Sequence, residues 1–106
     1  MHSGDVFEIL GFLVGQTLAD HEAMLSKHVV YILRSTKDRR CYYVGVTSNV
    51  DTRLATHNSG GSHHTARDRP WELVVSLEFA DAGSALAFER YLKTGSGRAF
   101  AKRHFT

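Results

Sequence analysis

Two short apolar runs separated by a polar turn constrain this chain more than any other feature. The runs "VVYIL" and "CYYVGV" are rich in β-branched and aromatic residues, and the "STKDRR" between them has the composition of a turn. In the first run, Val30 and Ile32 flank Tyr31, and in the second, Tyr43 and Val44 differ in parity. Because alternate residues of a strand point to opposite faces, the pattern predicts an antiparallel hairpin with its tyrosines on one face and its aliphatic residues on the other.

The rest of the chain predicts one more strand and three helices. A capping-box pattern at "SNVD", with Ser48 as the cap, opens a helix that "NSGG" ends. The run "WELVVSLEF" predicts a third strand, after which Asp81 or Ser84 caps a helix running through Lys93. The "GSG" that follows separates it from a last basic helix over residues 98–104. The predicted class is α+β, in the order ββαβαα, with a three-stranded antiparallel sheet flanked by helices.

The segment before this pattern differs from it in charge. Residues 1–26 carry four acidic residues and no Lys or Arg, so the remaining 80 residues have an excess of six positive charges. We therefore divide the chain into an N-terminal extension over residues 1–27, with a short helix expected near its end, and a functional domain over residues 28–106. The basic excess suits a polyanionic partner, although a solvated surface explains it equally well.

No apolar run is long enough to cross a membrane, since the longest, "FEILGFLVG", is interrupted by Glu8. The lone Cys41 has no second cysteine with which to form an internal disulfide. Both features favour a cytoplasmic protein without a membrane segment.

The first helix places polar residues where apolar ones are expected. Val50 and Leu54 mark its buried face, yet Arg53 and His57 fall on that same face at helical spacing. A charge and an imidazole are costly there unless something nearby requires them. The second helix repeats the anomaly, because Glu89 lies in the middle of its apolar stripe. A buried carboxylate must be paired, neutralised or bound to a metal, and an ion pair with an arginine or with Lys93 is the simpler structural explanation.

Together these inward-facing residues have a recognisable chemistry. A carboxylate such as Glu89 suits magnesium, which takes oxygen ligands and often uses one carboxylate with waters and phosphate oxygens. An arginine suits the charge that grows on a phosphate during displacement, and a tyrosine or histidine can orient and deprotonate a water. A zinc site is a weaker alternative, because its candidate ligands lack a paired spacing: Cys41, His57, His63 and His64.

These residues resemble the GIY-YIG nuclease domain, and the ending "YLKTGSGRAFAKRH" is similar to small stand-alone bacterial members of that family. "VVYIL" resembles the first motif and "YVG" the second, with Tyr31 and Tyr43 as the tyrosines. Arg53 and His57 stand where the family has an arginine and, one turn later, a histidine or tyrosine, and Glu89 stands at its metal-binding glutamate. The asparagine that some members carry beyond this glutamate is missing from "KTGSG".

The resemblance implies an endonuclease that hydrolyses phosphodiesters with one magnesium ion, for which manganese can substitute. Tyr43, with His57, would activate the water, and Tyr31 would position it. Arg53 would stabilise the pentacovalent phosphate, and Glu89 would hold the metal. The implied substrate is DNA, single-stranded or structured, in repair or processing, with products bearing a 5′-phosphate and a 3′-hydroxyl.

The remaining predicted site residues contact substrate. Gly45 interrupts a strand, which often marks the close approach of a ligand, and His64 with Thr65 is expected at the mouth of the cleft. The basic residues around the last helix are expected to hold the nucleic-acid backbone: Lys93, Arg98, Lys102 and Arg103.

Two other functions remain open. The same fold can serve as a binding module that grips nucleic acid without cutting it, although such a module has no need of Glu89 on the inner face of a helix. An interaction domain that binds through the N-terminal extension is the second alternative.

Overall fold

The predicted hairpin forms two strands of a three-stranded sheet. The computed structural model describes residues 27–106. Strand β1 spans His28–Ser35, β2 spans Tyr42–Thr47 and β3 spans Trp71–Phe79. The strand order is β2-β1-β3, and β1 runs antiparallel to both neighbours. The sheet confirms the predicted class, and it puts the "VVYIL" strand at the centre.

Three helices and one short turn complete the described part of the chain. Helix α1 spans Val50–Ser59, α2 spans Ala82–Leu92 and α3 spans Gly95–His104, and a single 3-10 turn, Ala66–Asp68, lies between α1 and β3. The predicted order ββαβαα is therefore confirmed. The expected N-terminal helix lies outside the described residues. None of the helices between residues 27 and 106 has the length and apolar character needed to span a bilayer.

The cap of α1 differs from the prediction by one residue. Asn49, with an extended backbone, is the N-cap, and its side chain accepts a hydrogen bond of 3.1 Å from the Thr52 backbone N–H. Asparagine caps helices as well as serine does, so the sequence alone does not decide between Asn49 and Ser48 as the N-cap. The predicted stop is confirmed, because Gly60 ends α1 in the left-handed conformation at φ 83°.

Helix α3 begins three residues earlier than predicted. Thr94 caps it by accepting a 3.1 Å hydrogen bond from the Gly97 backbone N–H, so "GSG" forms the first helical turn instead of a separator. A Cβ atom at Gly97 would lie 1.8 Å from the Tyr91 carbonyl oxygen. The start of α3 therefore packs directly against the end of α2, and only glycine allows that approach.

The two faces of the sheet bury different kinds of side chain. The aliphatic face, which α2 and α3 cover, is built from Val30, Ile32, Val44, Val46, Ala85, Leu92 and Ala101. The tyrosine face is built from Tyr31, Leu33, Tyr43 and Trp71, with Val50 and Leu54 of α1 packed against it. This confirms that the two tyrosines leave their strands on the side opposite the aliphatic residues.

A bulge in β3 lets that strand serve both faces. Leu33 pairs with Leu73 and Ile32 pairs with Val75, which leaves Val74 as an extra residue. Residues 71 and 75 would share a face in a regular strand, yet Trp71 joins the tyrosine face and Val75 the aliphatic one. The bulge therefore brings Trp71 to the tyrosines.

Candidate active site

Three of the predicted catalytic side chains form a buried cluster on the tyrosine face. Tyr31, Tyr43 and His57 are each at most 1% exposed. The Tyr31 hydroxyl lies 2.8 Å from His57 Nε2, within hydrogen-bond distance. The ring centroids of Tyr43 and His57 are 4.8 Å apart. The histidine therefore contacts both tyrosines, through a hydrogen bond to one and ring packing against the other.

The strand register places Gly45 directly opposite Tyr31. Tyr31 pairs directly with Gly45 across β1 and β2, and Tyr43 pairs with Leu33. Residues paired across strands share a face, so the missing side chain of Gly45 leaves space beside the Tyr31 ring. Gly45 is itself buried. The close approach of a ligand to this position stays a prediction.

Arg53 and His57 lie one turn apart on α1, so both project from the same side of that helix. His57 is fully buried, whereas Arg53 is half-buried with its guanidinium Nε inside the protein. The apolar residues Val50 and Leu54 hold the helix against the tyrosine face. This packing places the arginine beside the cluster that His57 enters.

Thr65 lies behind His57 and not at an exposed cleft mouth. It is 1% exposed, and its Oγ1 is 2.6 Å from His57 Nδ1. The Trp71 indole N–H donates to the Thr65 carbonyl at 2.9 Å, which fixes the backbone at this point. His64, by contrast, is exposed, with its ring next to that of His63. The two neighbours predicted to act together therefore have different surroundings.

Asn58 ties α1 to β3, a contact that the sequence did not reveal. Its amide donates to the Trp71 carbonyl at 3.0 Å, and its side-chain oxygen accepts from the Trp71 backbone N–H at 2.5 Å. The residue sits in "NSGG", where its composition indicated only the end of a helix. The paired bonds hold the last turn of α1, and with it His57, against the start of β3.

Glu89 lies on α2, the helix whose Ala85 and Leu92 belong to the aliphatic face. It is 2% exposed, and its carboxylate lies 2.7 Å from the ammonium of Lys93, one turn later. The structure thus contains the ion pair considered as an alternative for this residue, with a lysine as the partner.

The predicted basic residues of α3 lie away from the tyrosine face. Arg98 and Lys102 line a cavity of about 740 Å³ together with Arg39 and Arg40 of the hairpin turn. Side chains of the aliphatic face also line this cavity: Ile32, Val44, Leu92 and Ala101. Arg103 is exposed on the same helix. The basic surface and the tyrosine cluster are therefore on opposite sides of the sheet.

Cys41 packs against the tyrosine face and also lines the cavity. Burial raises the pKa of its thiol, and the nearby carboxylates of Asp68 and Asp38 act in the same direction. The thiol is therefore protonated at neutral pH, which is typical of a cysteine that packs in the interior and does not act as a nucleophile.

Comparison with known families decides what this arrangement is. The model of the GIY-YIG catalytic domain matches residues 27–103. The chain belongs to the GIY-YIG family. The matched range contains all the residues of the tyrosine cluster and Glu89, so the resemblance seen in the motifs extends through the whole described domain.

Individual relatives fall into two groups. The chain is 41% identical over 73 residues to a UPF0213 protein of Staphylococcus haemolyticus, an alignment that spans 68% of this chain and 87% of the relative. It is 48% identical over 65 residues to the structure-specific endonuclease subunit slx1 of Aspergillus niger, and 41% identical over 75 residues to the subunit of the same name in Chaetomium globosum. Those alignments cover 56% and 65% of this chain but only 15% and 23% of the relatives. The chain thus matches most of the bacterial relative and a limited part of the fungal proteins.

Proposed function

We propose that this chain is an endonuclease that hydrolyses DNA phosphodiesters at the tyrosine cluster. The observation that carries the proposal is the Tyr31–His57 hydrogen bond within a GIY-YIG catalytic domain, with Tyr43 packed on the same imidazole. A core does not need a phenol and an imidazole held together in this way. A reaction that removes a proton from water does.

The geometry favours exchanging the roles expected for the two tyrosines. The Tyr31 hydroxyl lies 2.8 Å from His57 Nε2, which accepts its proton when the imidazole carries its hydrogen on Nδ1. Tyr31 is then the group that takes a proton from the attacking water as its own proton passes to His57. Tyr43 orients the water. An ordinary phenol has a pKa near 10, so this coupled transfer makes the tyrosine an effective base near neutral pH.

Arg53 supplies positive charge to the phosphate. It is delivered by the same helix as His57, one turn earlier, and its guanidinium remains charged at any working pH. In the reaction it stabilises the extra negative charge on the phosphoryl oxygens as the water attacks.

Glu89 fits a magnesium ion in the mode that uses one protein carboxylate. Among residues 27–106, no three His, Cys, Asp or Glu side chains converge on a point where a metal could bind. Magnesium is commonly held by one or two carboxylates plus waters and substrate phosphates, so a single glutamate is sufficient. The ammonium of Lys93, 2.7 Å from this carboxylate, would have to move away when the ion binds. When bound, the ion would neutralise charge on the leaving oxygen, and manganese would substitute for it.

The burial of the cluster adds a requirement. Because Tyr31 and His57 are fully buried, a phosphodiester reaches the Tyr31 hydroxyl only when the groups that cover it move. The proposed base is therefore shielded from bulk water before DNA binds, which limits unproductive protonation of the pair.

The proposed substrate is DNA with a branched or single-stranded element. Two relatives carry the name structure-specific endonuclease subunit, and the small size of the described domain suits recognition by shape. The exposed basic residues of α3 lie on the other side of the sheet from the tyrosine cluster, so Arg98, Lys102 and Arg103 would hold the DNA backbone away from the cleaved phosphate, together with Lys93. His64 would contact substrate from the loop.

A non-catalytic DNA-binding module is the second candidate, and the Glu89–Lys93 ion pair favours it. If the glutamate serves only to pair with the lysine, the domain keeps its fold and its basic surface without a metal site. The experiment that separates the two functions therefore changes each partner of this pair in turn.

The test compares Glu89→Gln and Lys93→Met with the parent chain. Cleavage is measured on single-stranded, duplex, nicked and flapped DNA with and without magnesium, and the melting temperature is measured over a magnesium titration. Both variants lose the ion pair. We expect Glu89→Gln to lose cleavage and the magnesium-dependent rise in melting temperature, whereas Lys93→Met shows a larger rise than the parent because the competing ammonium is gone. Absence of cleavage by the parent chain on every DNA, with equal melting responses in the two variants, would leave only the binding module. Intact cleavage by Glu89→Gln would instead show that Glu89 does not hold the metal.

A further inference from the structure

The surroundings of His57 extend the cluster beyond the residues that the motifs name. Its two ring nitrogens have different partners: Nε2 lies 2.8 Å from the Tyr31 hydroxyl, and Nδ1 lies 2.6 Å from Thr65 Oγ1. The Thr65 hydroxyl in turn donates to the Ser62 carbonyl at 3.4 Å. Four groups thus form one chain of hydrogen bonds that begins at a phenol and ends at a backbone carbonyl.

The direction of the whole chain depends on where the hydrogen of the Thr65 hydroxyl lies. The Ser62 carbonyl can only accept, so a Thr65 hydroxyl that donates to it at 3.4 Å presents a lone pair to His57 Nδ1. The imidazole then carries its hydrogen on Nδ1 and donates it to Thr65. A neutral imidazole has one hydrogen, so Nε2 is left as the acceptor for the Tyr31 hydroxyl.

We propose that Thr65 is a positioning residue that sets the tautomer of His57 and thereby makes Tyr31 the base. The proposal rests on the endonuclease function above and assigns a role to a residue that does not touch the substrate. With the opposite tautomer, Nε2 would carry the hydrogen and donate to Tyr31, and the phenol would have no acceptor for its proton on the imidazole.

The structure holds Thr65 in place from several sides. It is 1% exposed, its carbonyl accepts from the Trp71 indole N–H at 2.9 Å, and its backbone N–H donates to Ser62 at 3.2 Å. During the reaction the balance is simple: water gives a proton to the Tyr31 oxygen, Tyr31 gives its proton to Nε2, and the imidazolium keeps its Nδ1 hydrogen bond to Thr65. A fixed acceptor at Nδ1 stabilises that positive ring.

The first test needs no substitution and no activity. Nitrogen-15 NMR of the parent chain distinguishes the two ring nitrogens, and we expect the hydrogen on Nδ1 of His57 at a pH where the ring is neutral. A hydrogen on Nε2 would overturn the proposal whatever the enzyme does. If the tautomer is as expected but no DNA is cut under any condition, the proposed function fails and the assignment of the hydrogen-bond chain stands.

The second test compares Thr65→Val, which keeps the shape and removes the hydroxyl, with Thr65→Ser, which keeps the hydroxyl. We expect the valine variant to show the Nε2 tautomer and to lose kcat by at least about 10-fold with little change in KM, because the histidine no longer accepts from Tyr31. The serine variant should regain most of the rate. Equal rates for the two variants would show that the hydroxyl has no positioning role.

Thr56→Val is the matched control. Thr56 lies one residue before His57, and its hydroxyl bonds the Thr52 carbonyl at 3.0 Å along the helix, so its loss removes one hydroxyl hydrogen bond from α1 without touching the imidazole. We expect the parent tautomer and the parent kcat. If Thr56→Val lowers kcat as much as Thr65→Val does, the effect comes from weakening α1, and the proposal is wrong.

Discussion

The two faces of the sheet are built by neighbouring residues of the same strands, yet they stabilise the domain by different physics. On the aliphatic face, side chains without polar atoms, such as Ile32 and Leu92, pack against α2 and α3. On the tyrosine face, Tyr31, Trp71 and His57 each bury a polar atom that is hydrogen-bonded. Apolar side chains can pack in several orientations. A buried polar atom, in contrast, is stable only when its hydrogen-bond partners lie in the right positions.

The difference teaches where this fold can carry chemistry. The stability of the aliphatic face depends on how well its apolar side chains fill the space between the sheet and the helices. Substitutions that change side-chain shape are therefore tolerated there better than substitutions that introduce a polar group. The tyrosine face is fixed by the directions of hydrogen bonds, which hold a phenol and an imidazole in one relation and therefore position groups for proton transfer. Tyr31 and Ile32, which are adjacent in sequence and lie on opposite faces, provide the sharpest test of this difference between the two faces.

The largest expected effect comes from Tyr31→Phe, with Ile32→Ala as its counterpart on the other face. Removing the Tyr31 hydroxyl should lower the cleavage rate by about 10²-fold or more while costing only about 1 kcal/mol of folding free energy. Truncating Ile32, which is 2% exposed, should cost about 2–5 kcal/mol in the free energy of unfolding and leave the rate of the folded molecules near that of the parent. Denaturant unfolding and single-turnover cleavage measure the two quantities. A Tyr31→Phe variant that cuts at the parent rate would show that the tyrosine face does not supply the proposed base.

A smaller effect, on stability alone, is expected from the two glycines that open α3. An added Cβ at Gly97 would meet the Tyr91 carbonyl at 1.8 Å, whereas one at Gly95 would meet nothing within 4 Å. We expect Gly97→Ala to destabilise the domain by about 3 kcal/mol, because α3 must move away from α2. Gly95→Ala should instead stabilise it by about 0.5 kcal/mol.

Thermal unfolding of these two alanine variants sharpens the comparison, since both act on the helices that cover the aliphatic face. Cleavage by the folded fraction should be unchanged in Gly95→Ala. A Gly97→Ala variant as stable as the parent would show that the contact between α2 and α3 is loose, and that the aliphatic face is not held by packing at this point.

The smallest effect is a pH dependence at the start of α2. Hydrogen bonds from Ser84, one of them 2.7 Å long from its backbone N–H, hold the pKa of Asp81 below its ordinary value. A carboxyl group with a lowered native pKa stabilises the fold above its unfolded pKa of about 3.9, and that contribution is lost as the pH falls through the native value. Asp81→Asn keeps a neutral capping oxygen, so its melting temperature should lie slightly below that of the parent at pH 7 and approach it in acid. A gap that stays constant down to acid pH would show that the charge of Asp81 does not contribute.

The sequence determined the sheet, the order of elements and the sidedness of the tyrosines. These follow from local rules, because strand periodicity assigns Tyr31 and Ile32 to opposite faces whatever the tertiary contacts are. The sequence also showed that Arg53, His57 and Glu89 are polar residues at apolar positions of their helices. The spacing of these residues and of the two tyrosines indicated the family. The end of α1 at Gly60 was equally predictable.

The hydrogen-bond and packing partners of these residues depend on how the chain folds in three dimensions. The bulge at Val74 moves Trp71 to the tyrosine face, and the run "WELVVSLEF" contains no glycine or proline that would indicate a bulge. Thr65 was expected at a surface, but the fold of the loop buries its hydroxyl against His57. Glu89 has a lysine partner one turn away on its own helix, and Gly97 opens a helix instead of separating two. The physical reason is common to these cases: periodicity specifies which face a side chain occupies, whereas hydrogen-bond partners and close contacts depend on segments that are distant in sequence and meet only when the chain has folded.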